Sequence, residues 1–109
     1  MATAFKNTVI PEIGTTPTQV IQTGASARVT IIGFSMTNLL EEAVQVSVLM
    51  TDTSSTTAYF IKETIIPPFQ TLRAINGGEK LILMSDNEMK VVSTKPDSVD
   101  VVVSYVEIT

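Results

Sequence analysis

Residues 43–50 read "AVQVSVLM", and the parity of this stretch decides the fold class. Val44, Val46, Val48 and Met50 fall on one side of an extended chain, and Gln45 and Ser47 fall on the other. Successive side chains of a strand point to opposite faces, so this alternation predicts a half-buried β-strand. The overlapping stretch "MTNLLEEAVQ" (36–45) could wind into a single helical turn. Its continuation alternates too cleanly for a longer helix, and it is read as strand.

The same period extends outward in both directions. In "ARVTIIGFSMTN" (27–38), Val29 and Ile31 alternate with Arg28 and Thr30, whereas after Gly33 the large residues Phe34 and Met36 take the opposite parity. A glycine where the face switches predicts a β-bulge or a close backbone approach. "SVDVVVSYVEI" (98–108) sets Val99, Val101, Val103 and Tyr105 on one parity and Val102, Val106 and Ile108 on the other. A strand apolar on both faces belongs at the centre of a sheet or in an oligomer contact. Shorter candidates lie at Lys6–Ile10, Thr18–Thr23, Thr57–Glu63, Gln70–Ile75, Glu79–Met84 and Glu88–Thr94, separated by clusters rich in Ser, Thr, Gly, Pro and Asp. Many short strands with turn signals between them predict an all-β chain, an antiparallel β-sandwich (Ig-like or jelly-roll-like) of about seven to nine strands. Residues 18–109 are read as a single sandwich domain, preceded by an extended N-terminal arm over 1–17.

Two loops invite a chemical reading. "NGGEKLILMSDNEMKV" (76–91) opens on a Gly-Gly pair, but a phosphate loop needs a following helix whose N-terminus faces the anion. Here short strand-like runs follow, and Asn-Gly is a hairpin signal, so Gly77 and Gly78 are read as a turn. Within it "SDNE" (Ser85–Glu88) offers consecutive oxygen ligands. Calcium loops space theirs at alternate positions, so this too is read as a turn.

Composition narrows the function classes. The chain has no His and no Cys among its 109 residues, which removes the commonest general base, the commonest metal ligand and all thiolate chemistry. The carboxylates sit mostly beside turn residues, where solvated loop charges are the ordinary outcome. No enzyme activity, cofactor or metal is expected. Seven basic residues against eleven acidic ones give a formal net charge of −4, and the basic residues are scattered singly. Direct nucleic-acid binding is therefore disfavoured. No apolar run reaches the ~20 residues of a membrane-spanning helix, and the first residues lack the pattern of a signal peptide. The reading is a soluble protein with no membrane partner, made without export. Only 17% of residues are charged while 44% are hydrophobic, which favours association with other chains. With no Trp, and with Tyr59 and Tyr105 inside strand-like runs and read as core or interface residues, a carbohydrate-binding sandwich is the main alternative from another class.

The most informative feature is "FKNTVIPEIGTTPTQV" (5–20), where Phe5, Val9, Ile10 and Ile13 are interleaved with Pro11, Pro17 and Gly14. It is either an edge strand of its own domain or an arm laid across a neighbour, since proline keeps it out of a central strand. "IIPPF" (65–69) resembles it, with Phe69 as an apolar knob on a loop stiffened by Pro67 and Pro68. Phe5, Val9, Ile10, Pro11, Ile13, Pro67, Pro68 and Phe69 are thus the candidate subunit-contact residues.

The order "NTVIPEIGTTPTQVIQTGASARVTIIGFSMTN", "PPFQTLRAINGGEKLIL" and "SVDVVVSYVEIT" resembles the small virion structural proteins of tailed bacteriophages over nearly the full length. The resemblance is carried by strand and turn order, with no catalytic signature. It implies a single β-sandwich that coats or joins parts of the particle: a capsid decoration (cement) protein, or a neck, tail or fibre-attachment component. It also implies a virion location after assembly in the host cytoplasm, a major capsid protein or another virion structural protein as partner, and a homo-oligomer, with a trimer favoured.

Overall fold

The computed structural model describes residues 2–75 and 80–109. Nine strands follow one another: β1 (Thr3–Ile13), β2 (Thr18–Gln22), β3 (Arg28–Asn38), β4 (Val44–Thr51), β5 (Thr57–Ile66), β6 (Thr71–Ile75), β7 (Leu81–Leu83), β8 (Glu88–Ser93) and β9 (Val99–Ile108). No helix occurs among the described residues. The all-β sandwich is therefore as expected, with the strand number at the top of the expected range. The segment 36–45 forms the end of β3, a bend and the start of β4. Gly77 and Gly78 lie outside the described residues.

The strands form two antiparallel sheets, one in the order β1-β9-β3-β6 with β7 also on β3, the other in the order β2-β8-β4-β5. β6 and β7 pair with successive parts of the same strand, β6 with Phe34–Thr37 and β7 with Val29–Ile31. Counted as one interrupted strand, they leave two four-stranded sheets. Among the described residues, β4–β5 is the only hairpin connection within one sheet; β6 and β7 follow one another along β3, and the remaining connections cross from sheet to sheet. This is the jelly-roll arrangement, so of the two sandwich types expected from sequence the jelly roll is the one formed. The shortest molecular dimension is 21 Å, which suits two sheets about 10 Å apart with side chains on their outer faces.

The core follows the parities read from sequence. Val44, Val46 and Val48 are fully buried and Met50 packs against them. On β9 the buried set is Val99, Val101 and Val103, and the strand is central, paired with β1 on one side and β3 on the other. β3 carries the expected bulge: its register against β9 shifts between Ile31 and Gly33, which makes Ile32 the extra residue. That extra residue resets the parity, so Ile31 before it and Phe34 and Met36 after it all face the core.

Residues 1–17 are where the fold differs most from a free arm. Of the two readings, the structure has the edge strand: Thr3–Ile10 pair with Ile108–Val101 in unbroken register. Ala2 and Thr109 then exchange both backbone hydrogen bonds at 2.9 Å. Pro11 and Glu12 form a bulge in which Glu12 has φ 52 and donates its N–H to Asp100 Oδ1 at 2.9 Å. Proline supplies no N–H, so a bulge is one of the few sheet positions it can occupy. The bulge shifts the parity and swings Ile13 into the core, where it is 2% exposed.

Two buried polar knots hold the crossings. Asn38, 1% exposed, donates through Nδ2 to the carbonyls of Glu42, Ile66 and Pro67 at 2.9, 3.0 and 3.2 Å, while its Oδ1 accepts from Leu40 N–H. One side chain thereby fixes the β3–β4 and β5–β6 connections to each other. Ser93 and Ser98, both buried, share a 2.6 Å hydrogen bond, and the Ser98 hydroxyl also donates to Lys95 O at 2.8 Å. Gly14 lies against this second knot. A Cβ there would come within 3.2 Å of Asp97 N and 3.3 Å of Pro96 Cα, backbone atoms with little room to yield.

An unsatisfied buried carbonyl costs about 1–3 kcal/mol. Asn38→Ala takes this partner from the Glu42 and Ile66 carbonyls and from Leu40 N–H, while Pro67 O keeps Gln70 N–H, and is expected to destabilise by about 2 kcal/mol or more. The check is the urea midpoint: it should fall while the slope stays unchanged, the sign of lost stability without a change in exposed surface.

Candidate interaction surface

The contact residues expected from sequence divide into two groups, which the fold keeps apart. Phe5 and Val9 stand on the outer face of β1, 79% and 63% exposed, and Pro11 is exposed at the bulge. Ile10 is half-buried against the core. Ile13 has to be removed from the set: the β1 bulge turns it inward, and it is spent on the chain's own core. The second group, Pro67, Pro68 and Phe69, is exposed at the β5–β6 turn. It leads into β6, on the far side of the sheet from β1, with β9 and β3 between them.

Cross-strand register shows what surrounds the first group. Phe5 lies opposite Val106, Asn7 opposite Ser104 and Val9 opposite Val102, all on the outer face of the sheet. On the next strand Gly33 is level with Ser104 and Ser35 with Val102, while Ile32 protrudes from the bulge. Beyond it Ile82 of β7 is paired with Thr30 and is also exposed. The outer face of this sheet therefore carries a row of exposed apolar side chains beside polar ones (Asn7, Ser104, Ser35) and exposed Arg73, with a shallow floor at Gly33 and Ser104. Its walls are formed by Phe5, Val102 and Ile32. Sequence reading had found the second apolar parity of β9. Ile32 and Ile82 were missed, because their exposure depends on the bulge and on which face of β7 turns outward.

The turn at 67–70 is built to display Phe69. Gln70 N–H donates to Pro67 O at 3.1 Å, and Phe69 takes φ 58. Left-handed backbone is an outlier for a bulky residue and costs roughly 1–2 kcal/mol. The aromatic ring gains little burial in return, since Phe69 is 61% exposed. Pro68 fixes the preceding residue, and Asn38 grips the turn from below through Pro67 O.

Charged groups are sparse on these surfaces. Lys6 donates to Glu107 Oε1 at 2.7 Å, and this hydrogen bond holds the ammonium above its ordinary pKa. The Asp52 carboxylate accepts from the Ser54 hydroxyl and from the N–H groups of Thr56 and Ser54. It is held below the usual range, first by the Ser54 hydroxyl and then by Thr56 N–H. A depressed carboxyl pKa gives stability that is present at neutral pH and lost as pH falls through the folded-state value, so any acid loosening of the 52–56 loop belongs below the usual aspartate range.

The other sequence candidates resolve as structural parts. Ser85–Glu88 includes a turn in which Asn87 N–H donates to Met84 O at 3.2 Å, Asp86 has φ 60 and the Ser85 hydroxyl is engaged by Ala27 O. Among the described residues no three or more Asp or Glu side chains gather as a metal cage. Tyr59 is half-exposed on β5 and so is not a core residue, with Lys62 Nζ 5.1 Å from its ring centre. The cation covers one face of the ring.

No protein-family model and no curated protein matches this chain. Among solved structures, it is similar to a chain in the crystal structure of the IBDV viral particle, with a TM-score of 0.55 at 6% identity over 96% of its own length. A looser likeness, to the structure of infectious bursal disease virus Gt strain, has a TM-score of 0.39 at 6% identity over 98% of this chain. In each case this chain spans 30% of the length of the other. At this identity the first likeness shows the fold. The class defined here is a jelly-roll β-sandwich with exposed apolar residues on one outer sheet face and a strained, exposed Phe69.

Phe69→Gly should relieve the left-handed strain at a smaller entropic cost of about 0.5–1 kcal/mol. The isolated protein is therefore expected to become more stable, by up to about 1 kcal/mol. Thermal melts of the two proteins decide it: an unchanged or lowered melting temperature would mean that the Phe69 ring supports the fold.

Proposed function

We propose that this protein is a non-enzymatic virion structural protein of the kind found in tailed bacteriophages, acting as a capsid decoration or cement protein. Its partner is then the major capsid protein or another virion structural protein. The observation that carries this reading is Phe69. An exposed aromatic residue held at φ 58 on a turn stiffened by proline weakens the isolated domain, and it makes sense where a partner covers it. The jelly-roll topology supports the reading, because viral capsid domains are among the proteins built this way. The fold likeness to a chain of the IBDV particle points the same way, as does the sequence resemblance to phage virion proteins.

The job asks for a rigid body with contact surfaces and no reaction centre. A carbohydrate-binding role, which jelly rolls also serve, is less favoured, since Lys62 covers one face of the exposed Tyr59 ring. A decoration protein makes the same contact many times, so weak single contacts add up through multivalency. The trimer implied by the resemblance would serve this, with each subunit presenting its Phe69 turn.

Quantitative mass spectrometry of purified particles tests the proposal. A decoration protein is expected at a copy number comparable to that of the capsid subunit, whereas a neck or tail part would be present in a handful of copies. Phe69→Ser should fold normally and be lost from particles. Particles that lack the wild-type protein altogether, or that incorporate Phe69→Ser to the same level, would overturn the reading.

A further inference from the structure

We infer that the free edge of β1 pairs antiparallel with β1 of a second copy of this chain, across a two-fold axis through Asn7, in the register that sets Phe5 against Val9 of the second copy. The inference concerns the chain alone and does not depend on the virion reading.

Backbone alternation comes first. Ala2 and Thr109 form a pair that exchanges both hydrogen bonds, and the register then runs unbroken to Ile10 and Val101. In an antiparallel ladder such pairs alternate, so Ala4, Lys6, Thr8 and Ile10 bond inward to β9. The N–H and C=O groups of Thr3, Phe5, Asn7 and Val9 point outward along the open edge. Among the described residues none of these groups has another hydrogen-bond partner. The series ends at Pro11, which has no N–H to offer.

The other edges are unsuited to the same pairing. β5 is interrupted by two register shifts against β4, and β2 by one within five residues. The β6–β7 edge offers two short strands, of five and three residues, on separate parts of β3. Natural edge strands are ordinarily blunted by bulges, prolines or inward charges. Along Thr3–Ile10 there is only Lys6, and its charge is already met by Glu107. The strip is thus close to neutral on a chain of net charge −4, which makes it the place where two like-charged copies can approach.

Side chains select the register. With Phe5 opposite Val9 of the second copy, both exposed apolar residues of β1 gain apolar partners. The row Val106–Phe5 then continues into Val9 and Val102 of the other molecule. Asn7 meets its own equivalent, and the two amides can hydrogen-bond to each other. Lys6 faces Thr8. Sliding by one pairing step in one direction sets Lys6 directly against Lys6, which repels. Sliding by two sets Phe5 against itself but takes Val9 away from Phe5 and pairs Asn7 with Thr3.

Single cysteines in this cysteine-free chain test the register directly. Hydrogen-bonded antiparallel partners have Cα atoms about 5.5 Å apart, inside the roughly 4.4–6.8 Å that a disulfide spans. Asn7→Cys is therefore expected to form a covalent dimer under mild oxidation. Phe5→Cys and Val9→Cys, each more than about 13 Å from its own equivalent, should crosslink poorly alone and efficiently when mixed with each other. Amide exchange on the wild-type protein at high concentration should show Phe5, Asn7 and Val9 N–H protected. Asn7→Pro removes an outward N–H that the domain itself does not use, so it should leave the melting temperature nearly unchanged and weaken self-association at least about tenfold. Equal crosslinking at positions 5, 7 and 9, a Phe5→Cys homodimer in preference to Asn7→Cys, or association without protection of these amides would each overturn the inference.

Discussion

Everything in this fold rests on the insertion of β9 between β1 and β3. The last strand of the chain takes up hydrogen bonds from the first strand on one side and from β3 on the other, closing at Ala2 and Thr109. Without β9, β1 would have no partner in its sheet and Val99, Val101 and Val103 would be missing from the middle of the core. This pairing is also about as non-local as the chain length allows. It cannot form until segments about a hundred residues apart meet, which places this fold among the slow-folding, high-contact-order topologies.

Because β9 completes the sheet, β1 is an integral strand and not a detachable arm. Its contact potential therefore lies on its outer face and open edge, where Phe5 and Val9 stand, and not in a mobile tail. The same closure buries Ile13. The bulge at Pro11 and Glu12 is the device that separates these roles: before it the strand presents apolar side chains outward, and after it the chain turns into the core. At the far edge of the sheet, Asn38 has a comparable part, since its amide ties down the turn that holds Phe69 in a costly conformation. The two surfaces are thus displayed by one body, with the candidate contact residues on opposite edges of one sheet. That separation would let one surface be engaged without blocking the other.

Much of this was legible in the sequence. The alternation of Val44, Val46 and Val48 and the parity switch at Gly33 follow from the two-residue period of a strand, which is local physics and needs no tertiary information. So do the two-faced character of β9 and the turn at Pro67–Phe69. Tertiary structure decided what local pattern leaves open. A strand apolar on both sides, such as β9, does not reveal which face will be covered; the second sheet covers Val101 and Val103 and leaves Val102 outside. Asn38 looks like any turn asparagine until three carbonyls from two connections converge on it. Ile13 looks like part of an apolar arm until one bulge reverses its direction. The choice between Ig-like and jelly-roll order was tertiary as well, because strand pairing is settled by closure of the whole sheet and not by the residues of any one strand.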